Sequence, residues 1–141
     1  MGKDGLTLLL IDTNVFLELF LGQEKAEDCE RLLEKVSKGE MEATVTKFTI
    51  HATEAILNDS SLILAFIRNL QNSLGLNIYE TSLEDELASS MLMNSVKLDF
   101  GDALQYYVAK KLGVEAIISY DRHFDKLDVT RKEPADLLGV P

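Results

Sequence analysis

Hydrophobic and polar positions along this chain alternate between two kinds of pattern. Residues 6–11 read LTLLLI, apolar almost throughout, and DTNV follows at once. An apolar run of that length, with no polar face, predicts a strand covered on both sides. Residues 15–21 predict a short helix closed by Gly22. Over 24–38, Cys29, Leu32, Leu33 and Val36 fall on one helical stripe, with Gly39 beyond them. Glu42–Thr46 predicts a second strand and 48–57 a helix. Another helix spans 60–74, with Leu62, Ile63, Phe66, Ile67 and Leu70 as its apolar face and Gly75 as its stop. Leu76–Tyr79 predicts the third strand. Thr81 and Glu84 have the spacing of a capping box, opening a helix that runs to Val96. Residues 99–112 form one more helix, ended by Gly113; 116–119 form a fourth strand, and a short fifth is expected near Val129. This order predicts one α/β domain over residues 1–141, a three-layer α/β/α arrangement around a central parallel sheet of four to five strands.

Composition narrows the picture. A 141-residue chain with 46% hydrophobic and 27% charged residues suits one globular domain with its own core. The single cysteine, Cys29, forms no internal disulfide, which fits a reducing compartment. LTLLLI is far shorter than the roughly 20 apolar residues a membrane span needs. No stretch reads as a signal peptide, so a cytoplasmic protein without membrane association is expected. Fourteen basic residues against 24 acidic ones leave a net charge of −10. On charge alone this is a poor nucleic-acid binder, because such affinity rests largely on Lys and Arg neutralising phosphates. Bound divalent cations or a basic partner would remedy that deficit.

Four acids stand out. Asp12 follows the first strand and Asp121 follows the fourth, and in parallel sheets sites form beyond the carboxyl ends of the strands. Glu54 lies at helical spacing from Ile50 and Leu57, and Asp102 lies near the start of its helix. Each has an ordinary structural reading. Asp12 and Asn14 suit the cap of the helix at Val15, Asp99 an N-cap with Asp102 in the first turn, and Asp121 a turn. Glu54 is harder to explain, since lone acids rarely share an apolar face unless paired or bound to a cation. If the strand ends converge, the carboxylates meet, and two unit charges at ~4 Å repel by roughly 4 kcal/mol at an effective dielectric of 20. With only two histidines and no zinc spacing, an all-oxygen ligand set points to Mg²⁺ or Mn²⁺ and to metal-assisted phosphodiester hydrolysis.

With IDTN at the first strand, LDFGDALQYYVAKKLG around Asp102 and IISYDRHF around Asp121, the chain resembles PIN-domain ribonucleases, the fold of VapC-type toxins. The resemblance covers nearly the whole chain. It implies a Mg²⁺- or Mn²⁺-dependent endoribonuclease, with Asp12, Glu54, Asp102 and Asp121 as metal-binding acids. Asn14 and Ser119 would assist by hydrogen-bonding a carboxylate or a metal-bound water, with Asp99 and Asp125 as outer members. Beside Asp121, His123 has a surface or turn role as its ordinary reading; the alternative is that Arg122, His123 and Lys126 steer an RNA phosphate toward the metal. The resemblance also implies a homodimer and an antitoxin protein as partner.

Two other readings compete. A phosphoacceptor receiver domain needs an aspartate at the end of its third strand, where this chain has Tyr79-Glu80-Thr81. Phosphatases that open with an Asp-x-Asp pair are excluded by Asn14. The alternative within the resembled family is a PIN scaffold serving binding or RNA-processing assembly with little nuclease activity, and retention of all four acids argues against it.

Overall fold

A computed structural model describes residues 8–139. Among them the chain forms five strands and six α-helices. In chain order these are β1 (Leu8–Ile11), α1 (Thr13–Phe20), α2 (Ala26–Ser37), β2 (Glu42–Thr46), α3 (Lys47–Leu57) and α4 (Ser60–Gln71). Then come β3 (Leu76–Tyr79), α5 (Leu83–Val96), α6 (Phe100–Leu112), β4 (Ala116–Ile118) and β5 (Arg131–Lys132). Leu6 and Thr7, which the apolar run adds to the first strand, lie outside the described residues. All pairings are parallel, in the order β3-β2-β1-β4-β5.

The strand period of two builds the layers. Leu9 and Ile11 of β1 join Ala43, Val45, Ala116 and Ile118 in a core with α1 to α4. Leu10 and Ile117 point the other way, into a core with Leu104, Val108 and Phe124. Helices therefore cover both faces, which explains why β1 has no polar face to show. No helix among the described residues is long and apolar enough to cross a membrane.

Several local readings change. The capping box at the start of α5 uses Ser82 and Asp85, not Thr81 and Glu84. Ser82 Oγ accepts from the Asp85 amide at 3.1 Å and Asp85 Oδ2 accepts from the Ser82 amide at 3.0 Å. Asp85 wins because its carboxylate is also held by Tyr79 Oη at 2.7 Å and Lys111 Nζ at 2.7 Å. The fifth strand is Arg131–Lys132, since β4 finds its partners at Thr130 and Lys132 while Val129 packs inward. Gly75 does not stop α4, which ends four residues earlier at Gln71. Its role is close approach: a Cβ there would meet the Met41 carbonyl oxygen at 2.1 Å.

Candidate active site

Because β1 and β4 are neighbours, Ile11 pairs with Ile118 and the two strands leave the sheet side by side. The Asp12 amide donates to the Ile118 carbonyl at 3.0 Å, the last ladder bond before the edge. Asp12 then caps α1, its Oδ1 accepting from the Thr13 amide at 2.8 Å. The same oxygen accepts from Gln105 Nε2 at 3.0 Å. Its Oδ2 accepts from Ser119 Oγ at 2.7 Å and more weakly from Asn14 Nδ2 at 3.4 Å. Asn14 Nδ2 also reaches Ser119 Oγ at 3.0 Å, while its Oδ1 accepts from the Tyr120 amide at 3.1 Å. Ser119, fully buried, accepts from the Asp121 amide at 3.0 Å. One hydroxyl thus ties Asp12, Asn14 and Asp121 together.

Asp102 enters from α6. Asp99 caps that helix and its Oδ1 accepts from the Asp102 amide at 2.9 Å. Asp121 caps the 3-10 turn Arg122–Lys126, accepting from the His123 amide at 2.9 Å. The ordinary capping roles and the convergence therefore coexist: three caps bring three aspartates to one place. Asp12, Asp99, Asp102 and Asp121 line a cleft of about 460 Å³ together with Phe48 and Phe100.

Electrostatics follow from the crowding. Burial pushes the Asp12 carboxyl above its ordinary range, against the hydrogen bonds from Gln105, Ser119 and Thr13 that favour its charge. Burial raises Asp102 to about 7, and the charges of Asp121 and Asp99 add to the rise. His123 stands over the pair, with Nδ1 3.0 Å from Asp121 Oδ1 and 3.6 Å from Asp102 Oδ2. Asp102, Asp121 and His123 each offer a ligand atom within 4.8 Å of the others.

Not every candidate reaches the cleft. Glu54 does not. The inward stripe of α3 is Thr49, Ile50, Thr53 and Leu57, which leaves Glu54 at its edge with Oε1 3.2 Å from His51 Nδ1. Asp125 is turned away too, clamped by Arg131 through Nε at 2.8 Å and Nη2 at 3.3 Å. The same guanidinium donates to the Ser119 carbonyl at 2.9 Å and so braces the Asp121 loop. Arg122 and Lys126 are exposed on the turn beside the cleft.

A buried polar network escaped the sequence reading. Gln105 donates to Thr49 Oγ1 at 2.9 Å as well as to Asp12, and accepts from Thr46 Oγ1 at 3.1 Å. Thr13 Oγ1 reaches Thr49 Oγ1 at 3.2 Å. Among the described residues no buried side-chain polar atom lacks a partner. The available signal was Gln105 itself, a polar residue between Leu104 and Val108 on an apolar helix stretch.

Comparison with known proteins gives a consistent picture. The VapC ribonuclease of Aquifex aeolicus is 28% identical over 137 residues, spanning 89% of this chain and 96% of its own. The crystal structure of Mycobacterium tuberculosis VapC20, a Sarcin-Ricin loop cleaving toxin, superposes with a TM-score of 0.71 at 17% identity, over 89% of this chain and 99% of that one. A toxin–antitoxin complex from Klebsiella pneumoniae superposes with a TM-score of 0.69 at 18% identity, over 89% and 97%. The family described as PIN domain matches residues 9–129, and this chain belongs to it.

Proposed function

We propose that this protein is a divalent-cation-dependent endoribonuclease, the toxin of a toxin–antitoxin pair. One observation carries the reading: Asp12, Asp102 and Asp121, with Asp99 at the helix start, converge beyond the carboxyl ends of adjacent strands. The VapC ribonuclease relative and the toxin–antitoxin neighbour support it.

The residues fit a hard cation. The donors are mostly carboxylate oxygens, and without a cation burial, with their mutual repulsion added, holds Asp102 up at about 7. Asp12, Asp102 and Asp121 would hold Mg²⁺ or Mn²⁺, with Asp99 and His123 at the margin. Such an ion supplies Lewis acidity, acidifying a water and offsetting the charge that builds on the phosphate. Ser119, Asn14 and Gln105 keep the Asp12 carboxylate in one orientation, so no reorganisation is needed when the substrate arrives. Arg122 and Lys126 present positive charge to the RNA backbone beside an otherwise acidic cleft, and His123 stands with them on the same turn. A carboxylate lining suits direct attack by water rather than by a side-chain nucleophile.

Two partners follow. A basic antitoxin would set an arginine into the cleft, where one guanidinium satisfies two carboxylates; a complex with the cleft left open to solvent would refute this. A second copy of the chain would cover Leu83, Leu87 and Met91, exposed at successive turns of α5. Light scattering that finds only single-chain particles at micromolar concentration would contradict that pairing.

The decisive experiment incubates structured RNAs with purified protein in Mn²⁺ or in chelator, beside an identically prepared Asp121→Asn variant. Cleavage is expected with metal only, lowered by orders of magnitude in the variant. Cleavage surviving chelation or the substitution identifies a contaminant. No cleavage of any RNA with metal shifts the reading to a binding scaffold.

A further inference from the structure

We infer that Phe48 and Phe100, with Lys47 and His51, form a subsite for one unpaired RNA base beside the acid cleft, an inference that rests on the RNA-cleaving reading. A second cavity, about 240 Å³, adjoins the 460 Å³ cleft, and the same two phenylalanines line both. Their rings meet edge to face, with centroids 6.1 Å apart at 74°. Both are only half-buried, so each keeps ring surface open to a ligand. Phe100 is two residues from Asp102 on α6, which sets the aromatic wall immediately beside the carboxylates. The glycine between them makes this possible. A Cβ on Gly101 would come within 3.1 Å of Phe48 Cζ and 3.2 Å of Cε2, so any side chain there would press the Phe48 ring away from the start of α6.

The second cavity carries what the first lacks. Lys47 and His51, four residues apart on one face of α3, line it; Nδ1 of His51 faces Glu54, which leaves its Nε2 for a ligand. A lysine and an imidazole beside an aromatic wall, next to carboxylates suited to the scissile phosphate, match a nucleotide: the base stacks and its phosphate meets the Lys47 ammonium. Glu80 and Glu86 also line the cavity, and carboxylates accept hydrogen bonds from base amino groups. Stacking is independent of charge. It therefore supplies affinity that a chain of net charge −10 cannot draw from long-range attraction.

The test measures binding, not cleavage. Asp121→Asn full-length protein in Mg²⁺ is titrated with a labelled single-stranded RNA and with copies carrying one abasic nucleotide at successive positions. One abasic position is expected to weaken binding about tenfold, the fold-change of a lost stacking partner. Adding Phe48→Leu, which keeps apolar bulk, should weaken the intact RNA by a similar factor and erase the penalty at that position only. Phe100→Leu should behave alike, and thermal melting of each variant checks the fold. Abasic penalties that simply add to Phe48→Leu at every position overturn the subsite, as does unchanged or absent RNA binding. Wild-type cleavage without this coupling removes the subsite alone. Coupling without cleavage removes the nuclease reading and leaves the subsite standing.

Discussion

Replacing Asp102 by Asn should make the metal-free protein more stable at neutral and alkaline pH. In the unfolded chain this carboxyl titrates near 3.8; in the folded, metal-free protein burial and the neighbouring Asp121, Asp99 and Asp12 charges hold it near 7. Between those values the folded state keeps a proton that the unfolded state has released. Its stability therefore falls as pH rises from about 4 to about 7, and the penalty is complete above that. A displacement of that size corresponds to about 4 kcal/mol, and solvent screening in an open cleft reduces it to about 2 kcal/mol. The variant loses an acid in the first turn of α6, which costs about 0.5 kcal/mol of helix-dipole stabilisation. The amide of residue 102 still donates to Asp99. The net expectation at pH 8 in chelator is a gain of between about 1 and 2 kcal/mol, or roughly 3–8 °C in Tm for a chain of this length. At pH 4 the gap should close. Adding Mn²⁺ should raise the wild-type Tm well above that of the variant, reversing the order. Melting curves in chelator at pH 4, 6 and 8 measure this. A variant no more stable at pH 8 than wild type, or a gap that does not change with pH, would refute the crowding argument.

Gln105→Leu should lower stability by about 2 kcal/mol in urea titrations, because it removes three buried hydrogen bonds at once, those to Thr46 Oγ1, Thr49 Oγ1 and Asp12 Oδ1; an unchanged midpoint would show the network to be idle. Asp85→Ala removes the α5 capping box and leaves Lys111 and Tyr79 without their shared partner, for an expected loss of about 2 kcal/mol. Lys111 and the Ser82 amide hold the Asp85 carboxyl below its usual range, so this contribution is present above about pH 4 and fades on acidification; a wild-type–variant gap that persists undiminished at pH 2 would contradict it. Gly75→Ala places a methyl group 2.1 Å from the Met41 carbonyl and should cost at least about 1–3 kcal/mol by forcing the α4–β3 connection apart; a variant that melts like wild type would sink the close-approach reading.

What the sequence by itself determined is periodicity and ends. The run before Asp12 is buried on both faces because β1 sits in the middle of a parallel sheet, and no polar face was there to mislead. β2 and β3 fall where their patterns place them, and Asp99 caps α6 as its spacing indicates. Asp12 and Asp121 were legible as residues at strand ends, since a strand's last residue is a matter of local pattern. Which strands are neighbours is not local. Only the order β3-β2-β1-β4-β5 sets β1 against β4 and makes two acids 109 positions apart in sequence share one serine. The rotation of a helix about its own axis is likewise decided by packing. Helical spacing puts Glu54 near Ile50 and Leu57, yet α3 turns Thr49 and Thr53 inward, Thr49 against Gln105, and leaves Glu54 at the edge with His51. Ser82 and Asp85 displace the Thr81 and Glu84 pair for the same reason. Lys111, arriving from another helix, holds one carboxylate of the competing pair, and that contact exists only once the chain has folded.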